Sequence, residues 1–129
     1  MIKLLLADDH QTMRKAISDL LKFYADVRLV AEAGSFREVI DLSLKVHPDV
    51  ILMDVHMPDE QKLDPSDLKS CLVDCHLLAT SLWTDEETKA LAEAFGAVTL
   101  LDKANLATDL LPALKLCAQI SASKTASAS

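Results

Sequence analysis

Three acids, a serine and a lysine are the residues whose types and placement suggest chemistry. Each lies at or just after the end of an apolar run: Asp8 and Asp9 after IKLLLA, Asp54 in DVILMD, Ser81 in HLLATS, and Lys103 after VTLL. Carboxylates about 4 Å apart repel each other by about 4 kcal/mol at an effective dielectric of 20, so a cation must compensate. An all-oxygen site suits Mg²⁺, while lysine and hydroxyl groups suit phosphoryl oxygens. The set predicts phosphoryl transfer, with a carboxylate as candidate nucleophile.

The elements that must position these residues are apolar strands alternating with helices. Predicted strands cover residues 2–7, 27–33, 49–54, 76–81 and 98–101, and predicted helices begin at Thr12, after the Ser35 capping box with Glu38, at Pro65, near Asp85 and near Asn105. This alternation favours a doubly wound α/β domain, a parallel sheet with helices on both faces. Ligands bind beyond the carboxyl ends of such strands, where the acids, the serine and the lysine would meet.

Composition narrows the function classes. At 129 residues the chain buries roughly two thirds of its unfolded surface, which indicates one domain. Gly34 and Gly96 are its only glycines, too few for a dinucleotide-binding fingerprint or a P-loop. A net charge of −7 opposes a nucleic-acid-binding surface, and no apolar run approaches the ~20 residues that span a bilayer. Side chains must therefore hold any phosphate.

Residues 1–120 form the predicted domain, with the last helix ending near Ile120. Residues 121–129 (SASKTASAS) are small and polar, and they are interpreted as a linker stub, a frayed extension of that helix or a cloning remnant. The cysteine count of three is odd, and the chain shows no secretory signal. We therefore expect a reducing, cytoplasmic location.

Four segments together resemble the receiver domain of two-component response regulators. They are LLLADDH, DVILMDVHMP, LLATS and GAVTLLDK, and the resemblance runs from about Ile2 to Leu116. It implies a flavodoxin-like, five-stranded parallel sheet of order 2-1-3-4-5. The segment ADDHQTMRKAI and the pair Lys103-Ala104 are most similar to regulators with a C-terminal LuxR/NarL-type helix-turn-helix output domain.

The resemblance also implies a role for each residue of the site. Asp54 would accept a phosphoryl group from a phosphohistidine of a sensor histidine kinase or a phosphotransfer protein. Ser81 and Lys103 would contact the phosphoryl oxygens, and Ser81 would carry the signal to the face made by the fourth helix, fifth strand and fifth helix. Mg²⁺ would be held by Asp9, by Asp8 partly through water, by Asp54 and by the backbone carbonyl of His56.

The implied protein is a signalling domain that turns over no external substrate. It would form the N-terminal part of a transcriptional regulator and would reach DNA only through an output domain outside this sequence. The domain itself would contact neither nucleic acid nor membrane. Pairing through helix faces into a homodimer is a further expectation from the resemblance.

Four departures from the family pattern concern the surroundings of the site. The loop after Pro58 reads DEQKLDP without the usual glycine, so we expect an altered path. Leu100 replaces the aromatic switch residue, and Ala104 replaces the proline after the lysine, so a trans peptide is expected. Leu82 and Trp83 follow the switch hydroxyl, where a small residue is usual, which predicts narrower access to the site.

Other interpretations stay open at this point. Asp8 and Asp9 could only cap a helix, and Asp54, Ser81 and Lys103 could be ordinary polar residues at strand ends. A pseudo-receiver would use the fold only for interaction. A Mg²⁺-dependent phosphohydrolase would use Asp54 as nucleophile, although His56 stands where its general acid should be. Finally, Cys71, Cys75, His76 and Cys117 could supply a zinc site, but buried structural thiols are favoured.

Overall fold

Ten regular elements alternate between strand and helix along the chain. The structure is a computed structural model that describes residues 1–128, with side chains described as far as residue 122. The strands are β1 (Ile2–Ala7), β2 (Val27–Ala33), β3 (Val50–Asp54), β4 (His76–Ser81) and β5 (Ala97–Asp102). The helices are α1 (Gln11–Leu21), α2 (Phe36–Val46), α3 (Pro65–Lys69), α4 (Glu86–Ala94) and α5 (Leu106–Ala128), and three short 3₁₀ turns cover Glu60–Lys62, Ser70–Leu72 and Lys103–Asn105.

The five strands form one parallel sheet in the order β2-β1-β3-β4-β5. This order confirms the predicted doubly wound α/β fold. The register places Asp54 beside Thr80 and Ser81 beside Asp102. The carboxyl ends of β3, β4 and β5 therefore share one edge, and the chain order reverses between β1 and β3, where such sheets bind ligands.

Each face of the sheet has its own apolar layer. Leu5 and Ala7 of β1 join the layer under α2, α3 and α4, whereas Leu4 and Leu6 join the layer under α1 and α5. Successive side chains of a strand point to opposite faces, so a strand covered on both faces is apolar at every position. This explains why β3, which is buried along its whole length, is a continuous apolar run up to Asp54, whereas the edge strand β2 includes the exposed Arg28 and Glu32.

Local capping residues define several helix ends as the sequence predicts. The Ser35 hydroxyl accepts a hydrogen bond from the Glu38 N–H at 3.2 Å, which begins α2. Pro65 occupies the first turn of α3, and Gly96 follows α4 with a φ of 87°. A left-handed residue just past a helix end favours glycine because it has no Cβ.

Helix α5 runs past its predicted end near Ile120, which agrees with the interpretation of the tail as an extension of that helix. It continues past Ile120 to Ala128, so the polar tail extends the last helix over its described residues, while residue 129 lies outside them. Alanine is a strong helix former, and no glycine or proline interrupts the segment. The His76 imidazole lies 2.8 Å from the Ser121 hydroxyl and joins the extension to β4. Over the part of the chain described here, no helix is long and apolar enough to cross a membrane.

Candidate functional site

A buried ion-pair cluster lies at the carboxyl edge of the sheet. The Lys103 Nζ is 2.6 Å from Asp8 Oδ2 and 2.8 Å from Asp54 Oδ2. The side chains are almost fully enclosed, with exposed fractions of 4% for Lys103, 1% for Asp8 and 6% for Asp54. Two carboxylates thus share one ammonium, and the Lys103 charge offsets part of their repulsion.

Each member of this cluster is delivered by the end of a strand. Asp8 follows β1, and its N–H bonds to the Ala33 carbonyl of β2 at 3.0 Å. Asp54 is the last residue of β3. Lys103 begins the 3₁₀ turn after β5, and the Asp102 carboxylate caps this turn by accepting from the Ala104 N–H at 2.9 Å. The peptide that joins Lys103 to Ala104 is trans, as predicted.

Backbone N–H groups hold the second oxygen of each acid. Asp8 Oδ1 accepts from the His10 N–H and Asp54 Oδ1 accepts from the His56 N–H, both at 2.9 Å. Asp residues commonly bond to the backbone two positions ahead in this way. Both carboxylates are therefore fixed in orientation, with one oxygen on Lys103 and the other on the main chain.

Burial and pairing shift the titration of the cluster. Burial raises the pKa of Asp54 above its usual value and outweighs the lowering by the Lys103 ammonium and the His56 N–H. For Lys103, burial lowers the pKa, but the hydrogen bonds to Asp54 and Asp8 raise it by more, so the net shift is upward. The site thus strongly favours the charged form of Lys103. The ionised form of Asp54 is disfavoured because burial removes its hydration.

The acids beside Lys103 fit a hard divalent cation. Ligand atoms of Asp8, Asp9, His10 and Asp54 all lie within 4.8 Å of one another. Among the described residues, Asp9 Oδ1 is buried without a hydrogen-bond partner. The His10 ring nitrogen lies 3.2 Å away, close enough for an ion pair when that ring is protonated. A buried carboxylate oxygen without a partner is costly, and an oxygen-binding cation would satisfy it.

Ser81 lies at the same edge but outside the ion-pair cluster. It is buried, and its hydroxyl accepts a hydrogen bond from the Trp83 N–H at 3.0 Å. Leu82 and Trp83 are mostly exposed, with fractions of 58% and 62%, and the Trp83 ring makes an edge contact with the His56 ring at a centroid distance of 5.8 Å. Leu100 is half-buried against the α2, α3 and α4 layer. The predicted narrowing of access at Leu82 and Trp83 stays a prediction.

Two supporting residues escape the sequence patterns. Arg14 lies on α1, where its spacing reads only as a polar face, yet its Nη1 donates to the Asp8 carbonyl at 2.9 Å. A Cβ at Gly34 would come within 3.1 Å of that nitrogen, so the glycine leaves room for the arginine. Asp59 binds the N-terminus of α2 across 22 and 23 residues of sequence. No local spacing signals a contact of that range.

The cysteines form no zinc site in the described part of the structure. All three are free thiols, with Cys117 buried and Cys71 and Cys75 half-buried. The group of acids with His10 is the only possible metal cluster found among the described side chains. Burial raises the pKa of Cys75 to about 12 and that of Cys117 to about 11, which leaves them protonated. This favours the interpretation of structural thiols.

The chain is similar to known proteins over most of its length. The family model described as the response regulator receiver domain matches residues 4–115. The nitrate/nitrite response regulator NarL of Escherichia coli is 32% identical over 112 residues, 86% of this chain and 52% of NarL. A protein-glutamate methylesterase/protein-glutamine glutaminase of Methanococcus maripaludis is 34% identical over 104 residues, 79% of this chain and 28% of that protein.

These curated relatives are longer than this chain, which spans between about a quarter and about half of their length. They carry different names, yet each matches this chain over most of the chain's length. Among solved structures, the signal receiver domain of the putative response regulator NarL from Mycobacterium tuberculosis superimposes with a TM-score of 0.79 at 24% identity. That match covers 92% of this chain and 96% of the other. It shows the shared fold.

Proposed function

The chain belongs to the response regulator receiver domain family, whose members are phosphoryl-accepting signalling switches, and we propose that Asp54 is its phosphoacceptor. One observation carries the assignment. Asp54 is the acid held at the end of the central strand between the Lys103 ammonium and the His56 N–H, beside Asp8 and Asp9. Its carboxylate is oriented by the fold and lies where doubly wound sheets bind ligands.

The proposed reaction moves one phosphoryl group onto a carboxylate oxygen of Asp54. That oxygen forms a bond to phosphorus while the bond to the donor's nitrogen or oxygen breaks, and the donor leaves with that electron pair. Lys103 stays positively charged and balances the charge on the acyl phosphate. Hydrolysis of the same acyl phosphate by water restores the carboxylate and releases inorganic phosphate.

Mg²⁺ is the proposed cofactor, and its holders would be Asp8, Asp9, Asp54 and the backbone carbonyl of His56. When bound, it supplies positive charge that neutralises the acid cluster and the phosphoryl oxygens. The donor set supports this choice, since carboxylates with a carbonyl are hard oxygen ligands. The buried Asp9 Oδ1, which accepts no hydrogen bond from the described residues, supports it independently.

Ser81 is proposed to report the phosphoryl group to the rest of the domain. Its hydroxyl accepts a hydrogen bond from the Trp83 N–H and can still donate one of its own. Donation to a phosphoryl oxygen on Asp54 would draw Ser81, and the segment that leads to α4, toward the site. Leu100 takes the position of the family's aromatic switch residue, so this chain would transmit the change through an aliphatic side chain.

The proposed partners follow from the family. The phosphodonor would be a sensor histidine kinase or a phosphotransfer protein, and the chain would act as the regulatory part of a transcriptional regulator, pairing through its helix faces. DNA would be contacted by an output domain and not by this acidic domain, and no membrane contact is proposed. The free thiols suit a reducing, cytoplasmic location.

The test is covalent labelling of the intact protein. The chain is incubated with Mg²⁺ and a small phosphodonor such as acetyl phosphate, and intact mass is followed for wild type, Asp54→Ala and Asp74→Ala. Asp74 is an exposed acid and serves as the matched control. We expect one phosphoryl adduct in wild type and in Asp74→Ala and none in Asp54→Ala. An adduct that persists in Asp54→Ala would refute the assignment.

Two further outcomes of the same assay bear on the alternative functions. A complete lack of adduct in wild type would favour a pseudo-receiver. Rapid multiple turnover of unrelated phosphoesters that depends on Asp54 would favour a phosphohydrolase.

A further inference from the structure

The loop between β3 and α3 is bound to the start of α2 through one side chain. Asp59 Oδ1 accepts from the Phe36 N–H and Asp59 Oδ2 accepts from the Arg37 N–H, both at 3.0 Å. These are the first two residues of α2, whose N–H groups have no partner inside the helix. The hydroxyl of Ser35, the local cap, accepts from the Glu38 N–H and donates to the Glu38 carboxylate, so it leaves the N–H groups of Phe36 and Arg37 to Asp59. The remote carboxylate thus completes the capping of α2 and binds at the positive end of its dipole.

Further hydrogen bonds hold the loop that runs from Asp54 through Asp59. The Glu60 N–H donates to the Met57 carbonyl and the Lys62 N–H donates to the Asp59 carbonyl, both at 3.0 Å. Met57 is buried, and the His56 N–H is bonded to Asp54. The loop is therefore fixed at its start by Asp54 and in its middle by α2, with His56 between the two attachments.

We propose that Asp59 is a positioning residue that holds the His56 peptide, and with it the His56 carbonyl, in place for Mg²⁺ by anchoring the loop on α2. The inference rests on the proposed function, in which that carbonyl is a ligand. The loop from Asp59 to Asp64 contains no glycine, and the two hydrogen bonds of Asp59 fix it to α2. Asp59 supplies two hydrogen bonds from a charged acceptor, which are stronger than neutral ones.

Mg²⁺ binding and the Asp59 contact are then coupled in both directions. If the anchored loop binds Mg²⁺ more tightly than the free loop, Mg²⁺ must favour the anchored loop by the same factor. The N–H groups of Phe36 and Arg37 should therefore exchange with solvent more slowly when Mg²⁺ is present. A residue that only stabilised α2 would show no such response.

The experiment compares Asp59→Ala and Asp59→Asn with Ser35→Ala. Ser35→Ala removes a cap from the same helix end without touching the loop, so it controls for weakening of α2. Mg²⁺ is titrated while the amide resonances of Asp9 and His56 are followed by NMR, and hydrogen exchange is measured at Phe36 and Arg37. We expect Asp59→Ala to weaken Mg²⁺ binding about tenfold, the scale seen for groups that position metal ligands. Asp59→Asn should fall between it and wild type, since an amide offers one oxygen.

The outcomes separate this proposal from the proposed function. In wild type and in Ser35→Ala, Mg²⁺ should bind equally well and slow exchange at Phe36 and Arg37, whereas Asp59→Ala should lose that slowing. Equal Mg²⁺ affinity in wild type and Asp59→Ala, or equal weakening in Ser35→Ala and Asp59→Ala, would overturn the positioning role alone. Wild type that binds no Mg²⁺ would overturn the cofactor assignment and the positioning role together, while Asp54 labelling is scored separately.

Discussion

Lys103 is the residue on which the charge balance of the site depends. Its ammonium is enclosed with Asp8 and Asp54 and bonds to both. Removing one partner of a buried ion pair leaves the other charge buried without compensation, which typically costs about 3–5 kcal/mol. Removing one of the two carboxylates should have the opposite effect on the free energy of unfolding, because the remaining carboxylate then pairs with Lys103 without competition.

We therefore predict opposite effects for two neutral replacements near neutral pH without Mg²⁺. Lys103→Met should lower the free energy of unfolding by about 3–5 kcal/mol. Asp54→Asn should raise it, because burial raises the pKa of Asp54 and so disfavours the ionised form in the folded state. Urea denaturation in EDTA at pH 7 measures both. Equal stability of Lys103→Met and wild type, or a loss in Asp54→Asn, would contradict the charge balance described here.

The same ion pairs predict a loss of stability at alkaline pH. The pKa of Lys103 is raised above its ordinary 10.5 in the folded state, so its contribution is fully present below pH 10.5. That contribution falls as pH rises through the folded-state value, because the folded protein must then give up a proton that it binds more tightly than the unfolded chain. Thermal unfolding from pH 9 upward should show this slope in wild type. The slope should be smaller in Lys103→Met, which shares every other alkaline group.

At the level of elements, α2 and α4 are followed by the same backbone conformation, but the residue that adopts it differs. Both helices are followed by a left-handed residue, His47 after α2 with a φ of 47° and Gly96 after α4 with a φ of 87°. A Cβ in this region costs roughly 1–2 kcal/mol. The α2 end therefore carries strain that the α4 end avoids.

Substitutions at these two positions should act with opposite signs. Gly96→Ala should destabilise the domain by about 1–2 kcal/mol, since the left-handed backbone is strained with a side chain. His47→Gly should stabilise it by up to about 1 kcal/mol, reduced by the entropy of glycine in the unfolded chain. Thermal denaturation of both variants provides the check. Changes in stability of the same sign would show that another contact at one of the helix ends outweighs the strain of the left-handed backbone.

At the scale of the whole molecule, the sheet divides the interior into two apolar layers. Cys117 lies buried in the layer under α1 and α5, while Cys75 packs against the layer under α2, α3 and α4. Burial raises the pKa of both thiols, to about 11 and about 12. Because the thiolate is the reactive form, these cysteines are protected both by packing and by protonation.

Thiol labelling should therefore report on opening of the two layers. At pH 8 we expect the native protein to react quickly at one cysteine, Cys71, and the urea-unfolded protein to react at all three. The rate at Cys117 should follow global unfolding, and Cys71→Ser should make the native protein nearly unreactive. Quick labelling of native Cys71→Ser would contradict the protection of Cys75 by its raised pKa and of Cys117 by burial.

Sequence patterns predict most of this fold because its signals are local or periodic. Mainly apolar runs mark the strands, and β1, β2 and β4 have the predicted bounds. The Ser35 cap, Pro65 in the first turn of α3 and Gly96 after α4 each act within a few residues of their own position. The end of the last helix was left open, since a tail of serine, alanine, lysine and threonine suits a polar linker as well as a continued helix.

Some features of the candidate site follow from local sequence patterns, and others depend on contacts between distant segments. The strand patterns are enough to place Asp8, Asp9, Asp54, Ser81 and Lys103 at one edge of the sheet, because a parallel sheet aligns its carboxyl ends. The three-dimensional fold was needed to show that two acids share Lys103 and that the Ser81 hydroxyl accepts a hydrogen bond from the Trp83 N–H. It also joined Arg14 to the Asp8 carbonyl and Asp59 to α2. Such contacts depend on side-chain rotamers and on the paths of loops. Packing between distant segments selects both, and local sequence propensity does not.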